Sequence, residues 1–157
     1  MTEKPMQPEA VRCSLCEIAQ RQIVRGEYWT LVLNANQSTL GRVFFALNRH
    51  LTDVTSITDA EQRGLWRGLR VVKATLDALF APDHYNYVFL MNVDPHVHMH
   101  VYPRYMTDRR YLTQPFTDTM FGRHYDASQR VQIDPTVETS LIDAINADLA
   151  SRGAIEF

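Results

Sequence analysis

Between two prolines, the stretch Pro95-His96-Val97-His98-Met99-His100-Val101-Tyr102-Pro103 alternates imidazole with apolar side chains. A period of two is the signature of a half-buried strand. On an extended backbone the three imidazoles stand on one face, roughly 7 Å apart, while the side chains between them pack into a core behind. Proline cannot donate a ladder hydrogen bond in a strand interior, so Pro95 and Pro103 mark where the ladder starts and stops.

Imidazole can act near neutral pH as a nucleophile, a proton carrier or a metal ligand. Three in a row suit an anionic, phosphate-like centre that needs attack and charge neutralisation together. A solvated strand face explains one histidine well and three in strict alternation poorly. The stretch His96-Val97-His98-Met99-His100-Val101-Tyr102-Pro103-Arg104 resembles the signature of the histidine triad (HIT) family, and the likeness extends over about the first two thirds of the chain.

The bulk properties bound the rest. A chain of 157 residues with 45% apolar and 22% charged residues suits one globular domain able to bury a core without staples. We take residues 1–157 as a single domain, with 1–12 a flexible arm and 106–157 a variable carboxy-terminal extension ending in a helix. A net charge of -2 offers no general attraction for nucleic acid polymers or anionic membranes, and no apolar segment approaches the length of a span. The polar start lacks a secretory core, and two cysteines three positions apart suit a reducing compartment, so the expected location is cytoplasmic.

In chain order, Ser14-Leu15-Cys16-Glu17 has capping-box spacing and predicts a short helix to about Val24, with Gly26 after it. Tyr28 to Leu33 and Arg42 to Leu47 read as neighbouring strands around a polar loop. Thr58 to Glu61 is a second capping box, opening an amphipathic helix through Leu65, Leu69, Val72, Leu76 and Leu79 to about Phe80, with Trp66 and Phe80 in the core. Tyr85 to Asn92 reads as a strand joined by the tight Val93-Asp94-Pro95 connection to the histidine strand, hence antiparallel to it. Residues 106–130, aromatic and charged without periodicity, could wall a site; a packed surface loop is the plainer reading. Asp134-Pro135 caps a last helix carrying Leu141, Ile142, Ile145 and Leu149, with Gly153 beyond.

The resemblance implies an α+β, HIT-like fold: an antiparallel sheet of about five strands with helices packed on it, commonly a homodimer. It implies hydrolases or nucleotidyl transferases acting on the α-phosphate of nucleoside phosphoramidates, dinucleoside polyphosphates and related adenylylated compounds. By position, His98 would be the nucleophile, His100 would bind phosphate oxygens or assist the leaving group, and His96 would order the row. Asn34 would meet a ribose hydroxyl, or simply make a turn. Arg42 stands where many members have histidine; with Asn92 and Arg104 it is a candidate phosphate contact, but it cannot accept a proton at neutral pH. Cys13, Cys16, His50 and His96 match positions that bind zinc in some bacterial members, a closed tetrahedral set and therefore structural; two free buried cysteines are the alternative. No organic cofactor is expected. The partner is a purine nucleotide or nucleotide conjugate, and the competing reading is a non-catalytic nucleotide-binding scaffold that retains the triad. A metal bridging His98 and His100 ranks below both. His84 reads as a solvated loop residue, and His124 as a distant candidate for reaching a substrate.

Overall fold

The computed structural model describes residues 13–125, 128–153 and 157; the expected arm at 1–12 lies outside them. Five strands form one antiparallel sheet in the order β1-β2-β3-β5-β4: β1 (Gln22–Arg25), β2 (Trp29–Leu33), β3 (Val43–Leu47), β4 (His84–Val88) and β5 (His98–Arg104). A separate hairpin pairs β6 (Arg109–Tyr111) with β7 (Gln114–Phe116), and two helices complete the fold, α1 (Asp59–Phe80) and α2 (Pro135–Ser151).

The apolar alternation of the strands decides which face is covered. Trp29, Leu31 and Leu33 of β2, Val43, Phe45 and Leu47 of β3, and Met99 and Val101 of β5 are buried together with Leu65, Leu69, Val72 and Leu76 of α1. At about 1.5–3 kcal/mol for each large side chain taken out of water, this layer is the main stabiliser of the sheet. The helix begins as its sequence directs: the Thr58 hydroxyl accepts from the Glu61 amide at 3.2 Å, and the Glu61 carboxylate accepts from the Thr58 amide at 2.7 Å. Arg49 adds two further bonds to that carboxylate, at 2.5 and 2.9 Å, and holds it well below the usual range, at about 2. On α2 the Asp134 side chain caps Thr136, and Leu141, Ile145 and Leu149 are buried.

Several local expectations fail. No helix follows Ser14; residues 14–17 make a turn, and Gln22–Arg25 is a strand antiparallel to β2. The Ser14 hydroxyl donates to Asp94 at 2.7 Å instead of capping an amide, and Arg21 has a φ of 58, which breaks any helix there. Trp66 is 54% exposed, because the buried stripe of α1 runs through Leu65 and its neighbour points away from it; Phe80 is buried as expected. The link from β4 to β5 spans 89–97, longer than the tight connection the sequence suggested. Pro103 lies inside β5 rather than ending it, at a position paired with Tyr85 of β4 and beyond the last β3 pair, Val43 with Val101. Its missing donor therefore falls where the strand has one neighbour. His84 opens β4 instead of sitting in a turn, and within 106–130 the β6–β7 hairpin appears where no periodicity announced it.

Phe157 fills a slot over α1. Its ring meets Phe45 edge-on at 5.4 Å, and its carbonyl accepts from the amides of Tyr28 and Trp29. A Cβ on Gly64 or Gly68 would come within 3.3 or 3.0 Å of it, so the glycine spacing along α1 makes room for this ring.

Candidate functional site

The sheet face turned away from α1 carries His98, His100 and Tyr102 of β5, with Phe44 of β3 opposite His100. The His98 and His100 rings lie 4.9 Å apart, and Phe44 approaches both, at 6.0 and 5.8 Å. His96 does not complete a row of three on the strand: β5 begins at His98, and the His96 ring packs at 5.3 Å against His50. The cause is the end of β3, whose Leu47 takes the Val97 carbonyl while Leu51 receives the Val97 amide, turning the chain out of the ladder.

Hydrogen bonds fix the protonated nitrogen on two of the rings. A carbonyl only accepts, so His98 Nδ1, 2.7 Å from the His96 carbonyl, carries a proton, and the lone pair of the neutral ring is on Nε2. His96 Nε2 donates to the Leu47 carbonyl at 2.7 Å, leaving Nδ1 free in turn. The Asn34 amide faces His100 Nδ1 at 3.5 Å, and its oxygen accepts from the Asn36 amide at 2.9 Å. Burial first, then the neighbouring His98 and Arg42, push the His100 imidazolium down to about 3, so this ring is neutral at any physiological pH.

That free His96 Nδ1 faces a thiol pair. Cys13 Sγ lies 3.3 Å and Cys16 Sγ 3.6 Å from it, His50 Nδ1 lies 3.3 Å away, and Cys16 to His50 is 3.4 Å. A tetrahedral zinc with ligand distances of about 2.0–2.3 Å requires edges of roughly 3.3–3.8 Å. The four distances just given fall in that range, and all four donor atoms lie within 4.8 Å of one another, so the donor set fits that ion in chemistry and is compatible with it in spacing.

Arg42 takes an unexpected course. Its guanidinium lies 4.2 Å from the centre of the Tyr102 ring, donates to the Tyr102 hydroxyl at 2.7 Å, and leaves a buried Nε without a partner. Tyr125 stacks on the same Tyr102 ring at 4.3 Å, which brings the end of the 106–130 segment against the strand that carries the histidine pair. Gln37, buried in the loop between β2 and β3, holds the backbone of Asn34, Gly41 and Arg42 through four bonds. Nothing in the polar loop sequence singled out Gln37, whereas Tyr102 follows His100 at the same period of two and was legible. Asn92 is exposed in the bend before the triad. Arg104 is buried and committed to the fold, with both oxygens of Asp118 and the Asn86 side chain as partners.

Beside the histidines, on the β2–β3 side, opens a recess of about 440 Å³ lined by Leu15, Ile18, Val32, Leu33 and Phe44 among others. No described helix is long and apolar enough to cross a membrane.

The comparisons agree with this fold. The structure superposes on a hypothetical histidine triad nucleotide-binding protein from Sulfolobus tokodaii with a TM-score of 0.73 at 14% identity, covering 92% of this chain and 99% of that one. A zinc-bound histidine triad family protein from Mycobacterium smegmatis matches with a TM-score of 0.61 at 16% identity, over 90% of this chain and 96% of the other. A HIT family protein from Bacillus anthracis matches at 0.59 and 17% identity, over 92% and 99%. No curated protein matches the sequence. The family model described as HIT domain matches residues 16–107, more than half of the chain, and the chain belongs to that family.

Proposed function

We propose that this protein is a nucleotide hydrolase or nucleotidyl transferase that attacks the α-phosphate of an adenylylated compound through His98. The observation that carries this reading is the 2.7 Å bond from His98 Nδ1 to the His96 carbonyl, which fixes the ring's orientation and, in the neutral ring, puts the lone pair on Nε2. The Nε2 lone pair forms a bond to phosphorus while the bond from phosphorus to the leaving group breaks, its electron pair departing with that group. Water then attacks the nucleotidyl-imidazole, the electron pair of the nitrogen–phosphorus bond returns to Nε2, and the net products are AMP and the protonated leaving group. His100, neutral with Nδ1 facing the Asn34 amide, presents Nε2–H to a phosphate oxygen, so Asn34 orients His100. The recess at Phe44 and Val32, apolar there and polar towards Glu17 and Arg21, takes the purine.

Cys13, Cys16, His50 and His96 would hold a structural zinc, which would tie the amino-terminal turn to the base of the catalytic strand. Free thiols for that ion go with a reducing compartment such as the cytoplasm. A homodimer accompanies the reading and is checked by light scattering. Purified protein is expected to release AMP from adenosine phosphoramidate or a dinucleoside polyphosphate, and His98→Ala to lose a thousandfold or more, on the order seen when a nucleophile is removed. Unchanged turnover in that variant would refute the assignment. Arg42, buried against Tyr102 where a proton-accepting side chain could stand, favours a second reading as a nucleotide-binding scaffold. Calorimetric AMP binding with no product from either substrate would select it.

A further inference from the structure

The turn that carries Cys13 and Cys16 serves two sites at once. Its sulfurs face His96 Nδ1 at 3.3 and 3.6 Å, while Ser14, Leu15, Glu17 and Ile18 form one wall of the recess of about 440 Å³ beside Phe44. We propose that the two cysteines are a thiol–disulfide switch: a hydroperoxide oxidises the pair, the metal donor set loses two of its four ligands, and the recess loses the wall that the turn supplies. The nucleotide part of this inference rests on the function proposed above; the thiol chemistry does not.

Proximity comes from the backbone. The Cys16 amide donates to the Cys13 carbonyl at 3.1 Å, which closes a four-residue turn. Such a turn holds its end Cα atoms within about 7 Å, and a disulfide spans about 4.4–6.8 Å between the same atoms. The sulfurs, within 4.8 Å of each other, can therefore join with little movement of the chain. Both cysteines are partly exposed, as is the contact of Cys16 with His50, so a small oxidant reaches them. The chain has two cysteines in all, and neither has another intramolecular partner to choose.

The reaction balances with a hydroperoxide as the one co-reactant. A thiolate sulfur attacks a peroxide oxygen, the O–O bond breaks, hydroxide leaves and a sulfenic acid forms. The second thiolate attacks that sulfur, the S–S bond forms and a second hydroxide leaves. The pair has given up two electrons, the peroxide has taken them, and two protons from solvent turn both hydroxides into water. A disulfide sulfur has no charge to offer a metal, and His50 and His96 alone cannot close a tetrahedral set.

The remaining ties of the turn decide what this does to the recess. Among the described residues, the only other hydrogen bond from the turn to the histidine segment is Ser14 to Asp94 at 2.7 Å, and it is exposed. Once the sulfurs no longer share an ion with His50 and His96, that surface bond is left to position Leu15 and Ile18 against Val32 and Phe44. Oxidation at the cysteines is thereby felt where the purine is proposed to bind.

The experiment uses the full chain loaded with zinc by dialysis. Hydrogen peroxide is expected to release about one zinc per chain to a chromophoric chelator and to lower the mass by two hydrogens. AMP affinity measured by calorimetry should fall tenfold or more, amide exchange over 14–21 should accelerate relative to β3, and a dithiol with zinc should restore both. Cys13→Ser, which cannot form the internal bond, should show no peroxide-dependent change in AMP affinity. Zinc retained under peroxide, sulfinic acid or a bond between two chains in place of the internal disulfide, a peroxide effect in Cys13→Ser, or full AMP affinity in the oxidised protein would overturn the inference. Reversible zinc release with faster exchange over 14–21, but no AMP binding in either state, would sustain the switch and sink only the nucleotide reading.

Discussion

His96 donates its Nε2 proton to the Leu47 carbonyl at 2.7 Å, and this one bond turns its other nitrogen onto Cys13, Cys16 and His50. The same residue's carbonyl accepts from His98 Nδ1. One residue therefore couples the candidate metal centre to the tautomer of the candidate nucleophile, the first through its ring and the second through its backbone.

That coupling predicts a metal requirement for stability. Purified protein should carry about one zinc per chain by elemental analysis. Cys16→Ser should lose it and melt at least several degrees lower, because metal bound only by the folded state adds its binding free energy to folding. Equal melting temperatures before and after chelation would exclude a structural ion.

Stability should also fall on acidification below neutrality. His100 is pushed down to about 3 in the folded chain by burial and by the neighbouring His98 and Arg42, against about 6.5 when unfolded. The unfolded state then binds the extra proton first. The contribution is complete above pH 6.5 and is lost as pH falls from there towards 3, with a slope of about 1.4 kcal/mol per pH unit at most. Urea midpoints between pH 7 and 4.5 measure it, and His100→Gln should flatten the slope. The Glu61 carboxylate, lowered to about 2 by Arg49, adds its own loss between about 4.5 and 2, in the same direction.

Features that depend on local spacing were legible in the sequence. Thr58 with Glu61, Asp134 with Pro135, and the leucine stripe of α1 work within one or two turns of chain, and the alternation around His98 and His100 works within one strand. What escaped depends on distant partners. Ser14 has a capping-box sequence, but its hydroxyl is taken by Asp94, 80 residues on, and β1 pairs with β2 instead of coiling. Arg42 reads as a free phosphate contact because the ring it packs on, Tyr102, comes from β5, where Tyr125 of the following segment stacks on it as well. The burial of Arg104 likewise needs Asp118, which no periodicity marks.

Gly68 should tolerate no side chain. A Cβ there would stand 2.9 Å from Phe45 and 3.0 Å from Phe157, inside the packed layer between α1 and the sheet. Gly68→Ala gains helix propensity worth about 1 kcal/mol in an open helix. Overpacking at these distances costs about 1–3 kcal/mol, so net destabilisation is expected. Pairing it with Phe157→Ala, which removes one of the two clashing rings, should make the combined loss smaller than the sum. Chemical denaturation of the two single variants and the double variant decides it, and strict additivity would show that the slot is not shared.

The Arg104–Asp118 pair gives the sharpest test of how the wall beyond His100 is held. Both side chains are 3% exposed, and the Asp118 oxygens lie 2.6 and 3.1 Å from the guanidinium. Removing one partner leaves a buried charge uncompensated, so Asp118→Asn should cost about 3–5 kcal/mol. Replacing both by apolar residues of similar volume should cost less than that. Because Arg104 also ties down the carbonyls of Met120 and Arg123, loss of Asp118 frees the turn that carries Tyr125. Amide hydrogen exchange across 119–125 should therefore accelerate in Asp118→Asn while exchange in β2 and β3 changes only as much as global stability does. If both regions accelerate in parallel, the ion pair stabilises the domain as a whole and has no separate hold on the wall.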